Sequence, residues 1–99
     1  MNIQKAFERV LEGETVKCRP KGNSMIGLIN SGQLVTIEPI TDETILSKGD
    51  IVLCKVKGHY YIHLVNAIGK DERYQIANNR GRINGWTKKV VGIVTKIEA

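Results

Sequence analysis

The amino-acid sequence predicts a mainly β fold: a rolled sheet or partial barrel of short antiparallel strands, with one short N-terminal helix. Three observations point there. About six short runs rich in β-branched and aromatic residues follow one another, each bounded by glycine, asparagine or proline. Only one stretch, near the start, repeats its apolar residues at helical spacing. The 99 residues have room for a single modest core, and no internal repeat divides them. The expected organisation is one domain over residues 1–99, with the helix in 1–13 and the β core in 15–97.

In residues 3–11, Ile3, Ala6, Phe7, Val10 and Leu11 fall on one helical face, Asn2 is placed to cap the start, and Gly13 is placed to end it. Residues 15–21 read as an extended segment in which Val16 and Cys18 alternate with Lys17, Arg19 and Lys21; Pro20 breaks it and Gly22 ends it. A small-residue turn follows, Gly22-Asn23-Ser24-Met25-Ile26-Gly27, and then apolar Leu28 and Ile29. Asn30-Ser31-Gly32 is a turn signal, residues 33–38 read as a strand closed by Pro39, and residues 41–48 as a polar connection with a helical turn as one option. Residues 51–56 form a β-branched run expected to be a buried strand. Lys57-Gly58-His59 reads as a hairpin turn, and residues 60–65 return antiparallel. Period-two geometry puts Tyr61, His63 and Val65 on one face of that strand and Tyr60, Ile62 and Leu64 on the other. Residues 73–77 are a further strand, Asn78-Asn79-Arg80-Gly81 and Asn84-Gly85 read as turns, and residues 90–97 are the last strand, with Gly92 at a candidate bulge.

Composition narrows the function classes. Apolar residues at 41% and charged residues at 25% are ordinary for a folded soluble domain. A formal charge of +5 suits anionic partners and also simple solubility. The cations gather as Lys17, Arg19 and Lys21, and as Arg80, Arg82, Lys88 and Lys89, without an accompanying nucleic-acid-binding motif. Cys18 and Cys54 form no Cys-x-x-Cys pair, so neither a metal nor a cofactor is expected. The N-terminus is not an apolar leader, and no run approaches the ~20 apolar residues of a bilayer span. The expectation is a cytoplasmic protein with reduced cysteines and no membrane anchor of its own.

Ser24 is the one candidate nucleophile with a context, and a hydroxyl needs a base to take its proton. Five segments then stand in order: Gly22-Asn23-Ser24-Met25, Ser31-Gly32-Gln33-Leu34-Val35, Lys48-Gly49-Asp50-Ile51-Val52, Tyr61-Ile62-His63-Leu64-Val65 and Val91-Gly92-Ile93-Val94. Over about residues 15–97 this arrangement resembles the S24/S26 serine peptidases, the catalytic domain shared by type I signal peptidases and the self-cleaving LexA-like repressors. The resemblance implies a LexA/signal peptidase-like rolled sheet, with Ser24 as nucleophile and a base on the later strand of the hairpin. Most bacterial members carry Lys there, whereas the endoplasmic-reticulum-type and some spore-former signal peptidases carry His; the matching position here is His63. The turn residues Gly22, Asn23 and Met25 would shape the site, with the Ser24 backbone N–H as oxyanion donor, helped by a neighbouring N–H or by the Asn23 amide.

The chemistry is coherent on its own terms. A neutral imidazole, with an ordinary pKa of about 6.5, accepts a proton at neutral pH without the desolvation a lysine base requires. Apolar neighbours on its strand would hold it neutral. Lys55 and Lys57 are the fallback bases, although they lie on the other strand of the hairpin. His59 is expected at an exposed hairpin tip, and Tyr60, Tyr61 and Trp86 either pack or rim a groove.

The sequence also departs from the family. Gly27 stands where Ser-Met-x-Pro would place proline, and Gln33 where aspartate is common. The later Gly-Asp-Asn box reads Ile76-Ala77-Asn78-Asn79, without its carboxylate, which leaves Asn78 or Asn79 to orient the imidazole. An amide stabilises a forming imidazolium less than a carboxylate does.

The expected function is a soluble serine endopeptidase-like protein that cleaves, or self-cleaves, a peptide bond. No Ala-Gly or Cys-Gly self-cleavage site precedes Ser24, which points to a partner cut in trans, as in a phage or mobile-element member. The alternative is a weak or inactive module that binds a protein partner such as a phage or mobile-element repressor, with homodimerisation through a strand edge. A basic nucleic-acid-binding module ranks third.

Overall fold

The computed structural model describes all 99 residues, Met1–Ala99. Helix α1 spans Ile3–Leu11, and the strands are β1 (Val16–Cys18), β2 (Leu34–Pro39), β3 (Ile51–Val56), β4 (His59–Ile68), β5 (Tyr74–Ala77), β6 (Ile83–Thr87) and β7 (Val90–Glu98). All pairings are antiparallel, in one sheet of order β1-β2-β7-β3-β4-β5-β6, so β1 and β6 are its edges. The sheet is rolled: β6 curls back towards β3, where the Thr87 hydroxyl donates to the Lys55 carbonyl at 2.6 Å. The fold is the mainly β architecture expected from the alternating apolar runs.

The helix begins where a side chain takes over an unpaired backbone donor. Asn2 Oδ1 accepts from Lys5 N at 2.8 Å. It ends at Gly13, whose φ of 98° lets the chain reverse while Gly13 N donates to the Val10 carbonyl. Between them Ala6, Phe7 and Val10 are buried against the sheet, and Phe7 meets Tyr60 edge-on at 5.1 Å between ring centroids. Burying a side chain of the size of Phe7 or Val10 contributes about 1.5–3 kcal/mol.

Because side chains alternate along a strand, the central strands feed two cores. Leu53 and Ile62 join α1, Met25 and Ile29 in the first, whereas Val52, Cys54, Val56 and Val65 pack with Ile76 in the second. Gly92 is required by close approach: a Cβ there would lie 2.7 Å from both Ile37 Cγ2 and Val10 Cγ1. The β3–β7 register slips beside it, Leu53 facing Gly92 and Cys54 facing Val90, so Val91 is the extra residue.

Three details differ from the sequence expectation. There are seven strands, because Asn84-Gly85 lies inside β6 and not in a turn. Gly85, at φ 138°, sits where the β5–β6 register shifts, so the Asn-Gly pair marks a strand irregularity. Residues 41–48 hold a turn closed by Thr44 N on the Thr41 carbonyl, with no helix. The hairpin turn is the two residues Lys57 and Gly58, both at positive φ, so His59 already belongs to β4. Cys18 and Cys54 are free and buried, and burial pushes the Cys54 thiol up to about 12. No helix is long and apolar enough to cross a membrane.

Candidate active site

Ser24 is carried by the turn that follows edge strand β1. Two forces fix that turn. Met25 and Ile29 are buried in the first core, which pins the apolar side of the turn to the sheet. At its base, Gly22 N donates to Ser31 Oγ, Gly32 N to the Pro20 carbonyl, and Arg19 Nη1 to the Gly32 carbonyl. The serine itself stays half-buried.

His63 lies in the middle of β4, opposite Val52 of β3, and is only 6% exposed. Its Nε2 is 3.0 Å from Ser24 Oγ, joining residues 39 positions apart. Its Nδ1 is 2.7 Å from Asn84 Oδ1 on β6. An amide oxygen only accepts, so this bond places the ring proton on Nδ1 and leaves the Nε2 lone pair facing the serine hydroxyl. Burial holds the imidazole below its ordinary pKa, an effect the Asn84 hydrogen bond partly offsets. Tyr61 stacks on the ring at 4.7 Å between centroids and covers one of its faces.

A serine hydroxyl, an imidazole and an amide stand in one hydrogen-bonded line, on a sheet with the expected order of motifs, and the amide occupies the end where a Ser-His-Asp triad carries a carboxylate. The model of the Peptidase S24-like family matches residues 4–89. The chain belongs to the S24-like peptidase family. No curated protein and no solved structure matches it.

Within this S24-like domain the remaining expected residues fall into distinct places. Neither Asn78 nor Asn79 hydrogen-bonds to the His63 ring, whose partners are Ser24 and Asn84. Asn78 Oδ1 accepts from Arg80 N and Arg82 N, both at 2.9 Å, and so closes its own loop. Asn79 braces the serine turn instead: its N–H donates to the Ser24 carbonyl at 2.9 Å and its Nδ2 to the Ile26 carbonyl at 2.8 Å. This brace stands beside Gly27, the position where the family's proline is missing, and a Cβ on Gly27 would come within 3.3 Å of Asn79 Nδ2. Gly27 takes φ 95° and its N–H meets Asn30 Oδ1 at 3.3 Å.

Asn84 was hidden in the sequence by its glycine neighbour, since Asn-Gly is a common turn signature. The signal that could have found it is Ile83 and Trp86 flanking the pair, which continue a strand through it. The fallback bases stay away from the serine. Lys55 Nζ rests over the Tyr60 ring at 5.0 Å, and Lys57 occupies the hairpin turn with its Cε near Gly85. His59 is exposed. Trp86 leans on Gly69 and takes no part in the cleft. Tyr60 and Tyr61 do line it, in a cavity of about 280 Å³ beside Ser24 and His63, whose apolar wall includes Ile3, Met25 and Ile29.

Proposed function

We propose that this S24-like domain is a serine peptidase in which Ser24 is the nucleophile and His63 the general base, acting on an extended peptide in trans. The observation that carries the reading is the 3.0 Å contact between Ser24 Oγ and His63 Nε2, with Nδ1 already engaged by Asn84. In the first step Ser24 Oγ attacks the peptide carbonyl while its proton passes to His63 Nε2. The imidazolium then returns that proton to the leaving amine, and an acyl-enzyme remains. Water, deprotonated by the same nitrogen, hydrolyses the ester and restores the serine.

The oxyanion needs donors that nothing else uses. The N–H groups of Ser24 and Met25 make no hydrogen bond within the protein, which supports the Ser24 N–H in that role. The outer side of β1 is an unpaired sheet edge leading to the serine, where a peptide strand can add its main-chain hydrogen bonds. The test is covalent labelling by a serine-reactive probe of the parent protein, Ser24→Ala and His63→Ala. Labelling of the parent alone supports the dyad; equal labelling of all three sinks it.

A second reading, a module that binds a protein partner without cutting it, is favoured by one observation. The group behind His63 is an amide, which orients the ring but adds no negative charge to stabilise an imidazolium. Full partner binding by Ser24→Ala, with no probe labelling of the parent, would select it.

A further inference from the structure

We propose that the groove along β1 selects peptides with acidic side chains at alternate positions beside the scissile bond, through Lys17, Arg19 and Lys21. The inference rests on the reading of Ser24 as a site that acts on peptides, and four observations carry it. A groove of about 760 Å³ lies along β1, and it shares Ile3, Pro20 and Lys21 with the cavity at Ser24, so the two form one channel. Three cations, Lys17, Arg19 and Lys21, line this groove, and no carboxylate lines either part of the channel. The one ion pair in the protein joins Lys96 and Glu98, so the three cations have no internal counter-charge. Lys17 lies in the edge strand β1, and Arg19 and Lys21 follow it at steps of two residues, a spacing that matches the two-residue repeat of side chains on a peptide strand laid beside it.

Like charges on one edge repel one another, and an anionic occupant turns that repulsion into attraction. Carboxylates two residues apart on an added strand face the cations as cross-strand opposite-charge pairs. Arg19 also holds the Gly32 carbonyl at 2.8 Å, which limits its movement. The side chains of Lys17 and Lys21 are exposed and make no ion pair within the protein, so they are the adjustable part of the selector.

The experiment measures binding by Ser24→Ala, which cannot turn over substrate, to three fluorescent decapeptides. These carry Glu, Gln or Lys at alternate positions and are otherwise identical. At low salt the Glu peptide is expected to bind about tenfold more tightly than the Gln peptide, and to lose that advantage as salt rises towards ~0.5 M. Adding Lys17→Glu and Lys21→Glu should reverse the order, so that the Lys peptide binds best, a gain that a misfolded variant cannot produce. Equal affinity for the Glu and Gln peptides, or no reversal in the charge-swapped variant, overturns the proposal. So does displacement of the Glu peptide by a single-stranded oligonucleotide at lower concentration than by unlabelled peptide, which would assign the cations to nucleic acid. Probe labelling of the parent protein reports separately on hydrolysis. Glu selectivity without labelling removes the peptidase reading and leaves the acidic groove standing, while labelling without selectivity does the reverse.

Discussion

The Asn84 amide oxygen lies 2.7 Å from His63 Nδ1, at the opposite nitrogen of the ring from Ser24. It fixes the tautomer that a general base needs but brings no charge. Removing it in Asn84→Ala should lower kcat about 10–100-fold, the cost of one lost buried hydrogen bond, with KM little changed. Asn84→Asp should raise the His63 pKa by placing a carboxylate beside the ring, and so move the acidic limb of the kcat/KM profile to higher pH. Profiles that coincide for Asn84→Asp and the parent would remove Asn84 from the mechanism.

The depressed pKa of His63 makes a further claim about pH. Its base form should persist below the ordinary imidazole value of about 6.5, so activity should be flat through neutrality and fall only in more acidic solution. Stability follows the same sign. The unfolded chain binds its proton at the ordinary pKa and the folded one only lower, so the contribution of neutral His63 is full above about pH 6.5. It is lost as pH falls through the folded value. Urea midpoints for parent and His63→Gln should therefore converge towards lower pH; a constant gap would contradict the assignment.

Ser24 and His63 should differ in what they do for the fold. Ser24→Ala removes one half-buried hydroxyl and should change stability by less than about 1 kcal/mol, while hydrolysis and probe labelling disappear. His63→Ala empties a site under the Tyr61 ring and should cost about 1–3 kcal/mol as well as activity. Chemical denaturation of both variants checks this, and equal losses would show that the serine is structural.

Restoring the family's proline should harm this protein. Gly27 adopts φ 95°, far from the −65° that proline requires, and its N–H is bonded to Asn30. Gly27→Pro should cost more than about 1 kcal/mol and disturb the serine turn. Asn79→Ala should do the same by another route, removing the side-chain bond to the Ile26 carbonyl and about 1 kcal/mol with it. A Gly27→Pro variant with an unchanged midpoint would mean the turn is freer than its hydrogen bonds indicate.

Much of this architecture was legible in the sequence, for a physical reason that also explains the gaps. Strands β2, β3, β4 and β7 carry their burial in alternating or continuous β-branched residues, and the spacing of the family motifs linked Ser24 to His63 before any distance was known. What escaped was set by tertiary contact. Asn78, Asn79 and Asn84 are chemically identical and near one another in sequence, and only strand pairing decides which meets the ring. The irregularity at Gly85 lets a turn-like dipeptide continue as strand, which is invisible without its partner β5. The brace from Asn79 to the serine turn spans 53 positions and leaves no local trace either.

The order of the sheet gives the site a further property. Ser24 hangs from one border strand, β1, and Asn84 belongs to the other, β6, while His63 stands between them on β4. The imidazole is thus a clasp between the two margins of a rolled surface, and the bond from Asn79 to Ser24 is a second stitch along the same seam. Fraying at β1 would part Ser24 from His63, and fraying at β6 would release the Asn84 bond that orients the ring, even if the helix and both cores stayed intact. On the proposed peptidase reading, activity depends on this closure, and amide exchange at β6 should rise in step with the loss of probe labelling under mild denaturant.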